Sequence, residues 1–142
     1  VALLILINCF VVTTVVVIHY EILHLLSRFL PRLTILYNLR IAVGVIGVLI
    51  AHAIEVWIFA ISYYLMIQEG SWGSFEGNFT GTLGDCAYFA FTTFTTLGFG
   101  DIAPIGGIRY LTGIESLTGL VLITWSASYL YFEMQRYWGQ SD

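Results

Sequence analysis

The length of its apolar runs limits what this chain can fold into more than any other feature. Residues 1–20 (VALLILINCFVVTTVVVIHY) pass without a charge, and residues 41–67 (IAVGVIGVLIAHAIEVWIFAISYYLMI) carry only Glu55. Each meets the roughly 20 residues a helix needs to cross a hydrocarbon core about 30 Å thick. A third run, 108–134 (IRYLTGIESLTGLVLITWSASYLYFEM), is as long as the second but carries Arg109, Glu115 and Glu133. In a bilayer the backbone must satisfy its own hydrogen bonds, so such runs become helices. Only 10% of the residues are charged, lysine is absent, and the mean hydropathy is +0.88. Soluble domains carry about 25% charge. The composition therefore predicts one integral membrane domain of the all-α class. The first run lacks a basic leader and a small-residue cleavage site, which favours a transmembrane helix over a signal peptide.

The stretches between the runs differ in character. Residues 21–40 hold Arg28, Arg32 and Arg40, and Pro31 interrupts any helix there. They read as a cytoplasmic or interfacial segment, either a plain connector or a short helix with Leu33, Leu36 and Tyr37 on its apolar face. Residues 68–82 (QEGSWGSFEGNFTGT) have the chemistry of an exposed loop. Residues 83–95 (LGDCAYFAFTTFT) predict a helix capped by Thr82 or Asp85 and too short to span. A helix of that kind enters a membrane only where protein or water surrounds it.

Charge placement sets an orientation. Arg28, Arg32 and Arg40 lie between the first two runs and Arg136 follows the third, while Glu69, Glu76, Asp85 and Asp101 fall on the other side. The positive-inside rule then places the N-terminus outside and the C-terminus in the cytoplasm of a multi-pass plasma-membrane protein. The five arginines form neither a basic patch for nucleic acid nor the regular stripe of a voltage sensor. Cys9 and Cys86 are expected as packing residues, not a disulfide. No Ser/His/Asp constellation or phosphate loop is present, so no enzymatic activity and no cofactor are expected.

The short helix runs directly into Thr95-Thr96-Leu97-Gly98-Phe99-Gly100-Asp101. Glycines at alternate positions admit backbone conformations with φ > 0. A strand that alternates left- and right-handed residues turns its carbonyls to one side. Four such strands around an axis make rings of oxygens able to replace the hydration shell of a monovalent cation. The stretch T-L-G-F-G-D resembles the T-V-G-Y-G-D selectivity-filter signature of the potassium-channel pore-domain family, the tetrameric P-loop cation channels. Here it is preceded by an extra N-terminal helix.

The resemblance covers residues 41–134, with an outer helix 41–67, a pore helix 83–95, a filter 96–101 and an inner helix 108–134. It implies three transmembrane helices per subunit plus a re-entrant pore helix, assembled as a C4 homotetramer in the lipid bilayer with K⁺ as the permeant ligand. It assigns K⁺ coordination to Thr96, Leu97, Gly98 and Phe99, with Gly100 completing the filter and Asp101 forming an acidic ring at the outer mouth. Leu97 and Phe99 side chains are expected to brace the filter. Phe99 lacks the hydroxyl of the usual tyrosine, which leaves a weakly selective Na⁺/K⁺ channel as an alternative, and a non-conducting subunit as another. Thr92 stands where some relatives carry a glutamate paired to the filter aspartate, and Tyr88 is the expected substitute donor to Asp101. Gly119 falls at the expected hinge of the inner helix, although a glycine there also suits close packing. Leu120, Ile123, Ala127 and Tyr131 share a face suited to lining the cavity.

Three polar groups fall inside the apolar runs: His52, Glu55 and Glu115. His52 and Glu55 share a helical face and are expected to bond each other or Asn8, Thr13 or Thr14 of the first helix. Two ligands at one spacing are too few for a metal site. A membrane metalloenzyme built on His19, His24, His52 and Glu55 is the rival from another class, and a pH response of His24, His52 or Glu55 is a further reading. Glu115 is expected behind the pore helix in a structural role.

Overall fold

A computed structural model describes residues 2–34 and 37–138, and the side chains of 2–34 and 39–136. In chain order it contains α1 (Ala2–Phe29), a 3₁₀ turn (Leu30–Arg32), α2 (Tyr37–Glu69), β1 (Gly73–Gly77), α3 (Leu83–Phe94), β2 (Ile102–Gly106) and α4 (Ile108–Trp138). At 1.5 Å per residue the three long helices measure roughly 42, 50 and 46 Å. Two stretches, Ala2–Arg32 and Leu39–Glu69, are long and apolar enough to cross a membrane. Helix α4 matches them in length, but its glutamates and hydroxyls make it less apolar.

Helix α1 continues nine residues beyond the apolar run. The onset of charge at Glu21 does not end it, because Glu21, His24 and Arg28 sit on its exposed side. Its buried stripe, Leu4, Asn8, Val11, Val15, His19 and Leu23, keeps helical spacing past that point. It stops where Pro31 has no N–H to donate. The interfacial segment expected over 21–40 is thus mostly the end of α1 and the start of α2. Of the apolar face proposed there, Leu36 lies outside the described residues and the Tyr37 side chain is likewise not described.

Helix α2 is central and packs on α1, α3 and α4. Leu30 and Leu130 both approach Gly44, and Leu4 approaches Gly107. The end of α1, the start of α2 and the end of α4 therefore share one end of the molecule. The starts of α1 and α4 share the other. Arg28, Arg32, Arg40 and Arg136 gather at the first end, while the acidic loops and the filter stretch lie at the second, together with Arg109.

The loop expected over 68–82 is partly a strand. β1 pairs antiparallel with β2, matching Phe75 to Pro104 and Gly77 to Ile102. The approach depends on Gly77, at φ 94°: a Cβ there would stand 2.2 Å from the carbonyl oxygen of Asp101. The ribbon's apolar side joins an aromatic cluster in which Phe75 meets Phe89 at 4.5 Å, Phe79 at 5.0 Å and Tyr63 at 5.5 Å between ring centroids. These separations lie in or close to the range of favourable offset and edge-to-face contact. The cluster fixes α3 against α2 and against the ribbon.

Candidate ion-conducting site

Helix α3 is built to start and stop abruptly. The hydroxyl of Thr82 accepts from the amide of Asp85 at 3.1 Å, occupying one of the donors a helix start leaves open. Asp85 in turn accepts from the amide of Thr80 at 2.8 Å and from its hydroxyl at 2.5 Å. Those hydrogen bonds hold the Asp85 carboxyl below the usual carboxylate range. At 12 residues, α3 is about 18 Å long and cannot span a bilayer.

Thr95 closes the helix, its amide and its hydroxyl both donating to Phe91 O. Then the backbone inverts. Thr96 has φ 59°, Gly98 φ 50° and Gly100 φ 77°, while Leu97 and Phe99 between them keep negative φ. Left-handed and right-handed residues alternate over five positions. A threonine at φ > 0 is uncommon and has to be held there by its surroundings.

The hold comes from the end of α3. Thr96 N–H donates to Thr93 O at 2.9 Å, and Gly98 N–H donates to Thr92 O at 3.0 Å. Among the described residues, no hydrogen bond is donated to the carbonyls of Thr96 through Gly100. These residues are exposed in the single chain, so the five carbonyls are free to accept from outside it. The last turn of α3, whose own carbonyls carry partial negative charge, lies directly beneath them.

The far end of the stretch is pinned as well. Asn78 N–H donates to Asp101 O at 2.8 Å, and β2 begins with the next residue. The Tyr88 hydroxyl donates to Asp101 Oδ2 at 2.9 Å, the pairing that the family resemblance implied. That hydrogen bond, first among the causes, raises the Tyr88 phenol above its ordinary pKa. The Thr92 hydroxyl bonds back to Phe89 O at 2.9 Å and does not reach Asp101. Thr92 instead meets the filter stretch through its carbonyl.

Leu97 and Phe99 are 58% and 65% exposed, so within one chain these side chains brace nothing. Leu120, Ile123, Ala127 and Tyr131 all lie on the exposed side of α4. Gly119 is buried: a Cβ there would stand 2.0 Å from Phe94 O, and α4 runs through the position unbroken. Ser116, one turn earlier, donates to Thr93 O at 3.1 Å. These two contacts dock α4 onto the end of α3.

The buried polar groups form two separate networks. Tyr63 donates to Glu115 Oε2 at 2.6 Å, both residues being fully buried behind α3. Deeper along α2, Glu55 bonds His52 at 2.8 Å, as their spacing suggests, and its other oxygen bonds His19 Nδ1 at 2.7 Å. The partner from α1 is therefore His19, not Asn8, Thr13 or Thr14. Antiparallel packing of α1 on α2 sets which depth of α1 faces Glu55, and one-helix periodicity contains no such register. His24 stays exposed, away from this cluster.

No curated protein and no solved structure matches the chain significantly. A family model described as "Ion channel" matches residues 51–135, well over half of the 142. The matched region runs from the middle of α2 through α3 and the alternating stretch to the end of α4. This membrane protein belongs to that ion-channel family, the potassium-channel pore-domain family.

Proposed function

We propose that the chain is one subunit of a homotetrameric, passive K⁺ channel. The carrying observation is the alternation of φ sign from Thr96 to Gly100 with the five carbonyls left without donors. Four copies around an axis turn those oxygens into stacked rings, and the Thr96 hydroxyl adds the innermost ligands. One chain supplies one such strand, so cyclic fourfold assembly is required. Exposure of Leu97 and Phe99 supports the same reading, since their cover must come from a neighbouring subunit. So does the exposed strip Leu120, Ile123, Ala127 and Tyr131, which would line the cavity below the filter.

In this reading α1, α2 and α4 each cross the bilayer, with α4 shielded by its neighbours and therefore free to be less apolar. The arginine-rich end faces the cytoplasm and the N-terminus lies outside the plasma membrane. Four Asp101 carboxylates at the outer mouth raise the local cation concentration, an effect that salt screens. Gly119 sits where an inner helix would bend to open, and bending there requires its contact with Phe94 to part.

One observation favours a second reading. Phe99 offers no hydroxyl to tie the filter to its surroundings, and a less firmly held filter discriminates less between K⁺ and Na⁺. Reconstitution in liposomes under opposed K⁺ and Na⁺ gradients separates the two. A reversal potential near the K⁺ equilibrium value supports the selective channel. A value near zero with clear current supports the weakly selective one. Absence of current in protein that assembles as a tetramer is the outcome of a closed gate or of a non-conducting subunit.

A further inference from the structure

Four helices contribute to a group of side chains that conduction does not use. Glu55 of α2 is fully buried and receives an imidazole on each oxygen, His19 Nδ1 at 2.7 Å and His52 Nδ1 at 2.8 Å. The two rings stack with centroids 5.4 Å apart, Trp125 of α4 covers His19 at 5.1 Å, and Phe94 of α3 covers His52 at 5.7 Å. One ligating atom from each of His19, His52 and Glu55 lies within 4.8 Å of the other two. Helix spacing within α2 offers two donors, and the packing of α1 brings the third.

We propose that His19, His52 and Glu55 form a binding site for a divalent transition-metal ion of the zinc class. Two imidazole nitrogens and one carboxylate oxygen make the donor set that zinc and its neighbours take, whereas Mg²⁺ and Ca²⁺ prefer oxygen alone. Metal–ligand lengths of about 2.0–2.1 Å place tetrahedral donors about 3.3 Å apart, so binding opens each present hydrogen bond by about 0.5 Å. To ligate, each neutral ring presents the Nδ1 lone pair and carries its proton on Nε2 instead. Ser126 Oγ stands 3.5 Å from His19 Nε2, on the side of the ring away from Glu55. A ligating histidine commonly uses its second nitrogen for such outer support. The His52 side chain is 15% exposed, while His19 and Glu55 are closed off. A bound ion ties α1 to α2 directly behind Phe94, where the pore helix ends. The site rests on these side chains alone and does not depend on what the pore conducts.

The test uses the purified, metal-stripped full chain in detergent, titrated with Co²⁺ and then with Zn²⁺. The expected result is one Co²⁺ per chain with the intense visible bands of tetrahedral cobalt, bleached by Zn²⁺. Glu55→Gln abolishes the bands. His52→Gln, which keeps a donor within reach of Glu55 and so protects the fold, weakens cobalt binding at least about tenfold. His24→Ala, at an exposed position on α1, leaves it unchanged. Absence of cobalt bands in the folded wild-type chain overturns the proposal. Bands that survive His52→Gln but vanish in His24→Ala overturn it too, by placing the ion on the surface.

Discussion

The backbone of Phe94 fills the space where Gly119 has no side chain: a Cβ at 119 would stand 2.0 Å from the Phe94 carbonyl oxygen and 3.0 Å from its Cα. The last residue of α3 and the middle of α4 thus touch backbone to backbone. The obstructing atoms are main chain and cannot swing aside, so any side chain there displaces α3 or α4.

Gly119→Ala is therefore expected to destabilise the protein by about 1–3 kcal/mol, the usual range for forced overpacking, and to disturb conduction. Gly113→Ala, where nothing lies within 4 Å in the single chain, is the control and should leave the melting temperature level or slightly higher. Thermal unfolding of both variants in one detergent decides the matter. An unchanged melting temperature for Gly119→Ala would show that the two helices do not meet so closely.

Tyr88 and Asp101 are joined by one hydrogen bond at the outer end of the filter stretch. Tyr88→Phe and Asp101→Asn should each shorten the time for which currents are sustained, and the double variant should lose no more than the worse single one. Additive effects in the recordings would mean that the two side chains act independently.

Tyr63 and Glu115 are a buried pair with a 2.6 Å hydrogen bond. Tyr63→Phe removes the donor and leaves the acidic group unsatisfied, at an expected cost of about 1–3 kcal/mol. Tyr63→Phe combined with Glu115→Leu should recover part of that loss, because no polar group is then stranded. Chemical or thermal unfolding of the single and double variants tests this, and a double variant no more stable than Tyr63→Phe would refute it.

Asp85 anchors the start of α3 through Thr80, and these bonds lower its pKa. A carboxyl with a depressed folded-state pKa stabilises above its ordinary pKa of about 3.9, and the contribution disappears as the pH falls through the folded value. Wild-type stability should thus drop on acidification below about pH 4 more steeply than that of Asp85→Asn. Parallel melting curves of the two proteins across that range would contradict the assignment.

Much of this was legible in the chain itself. Twenty charge-free residues can only become a helix in a membrane, and Gly98 and Gly100 two positions apart admit the alternating backbone wherever they are placed. Tyr88 and Asp101, thirteen positions apart, were paired in advance through the family resemblance, and they meet in the structure. The strand β1 was not legible, because residues 73–77 contain two glycines and a glutamate and become a strand only when Ile102–Gly106 lies alongside.

Local chemistry by itself determined the long helices, the short helix α3 and the alternating stretch that follows it, since propensity, apolar length and glycine spacing act within a few residues. Only the tertiary structure decided which groups from different helices meet. Register between packed helices set His19 against Glu55, and a missing side chain at Gly119 became meaningful once Phe94 pressed against it. Helix packing fixes depth and rotation through many weak contacts spread over whole faces, and that sum is not written at any single position.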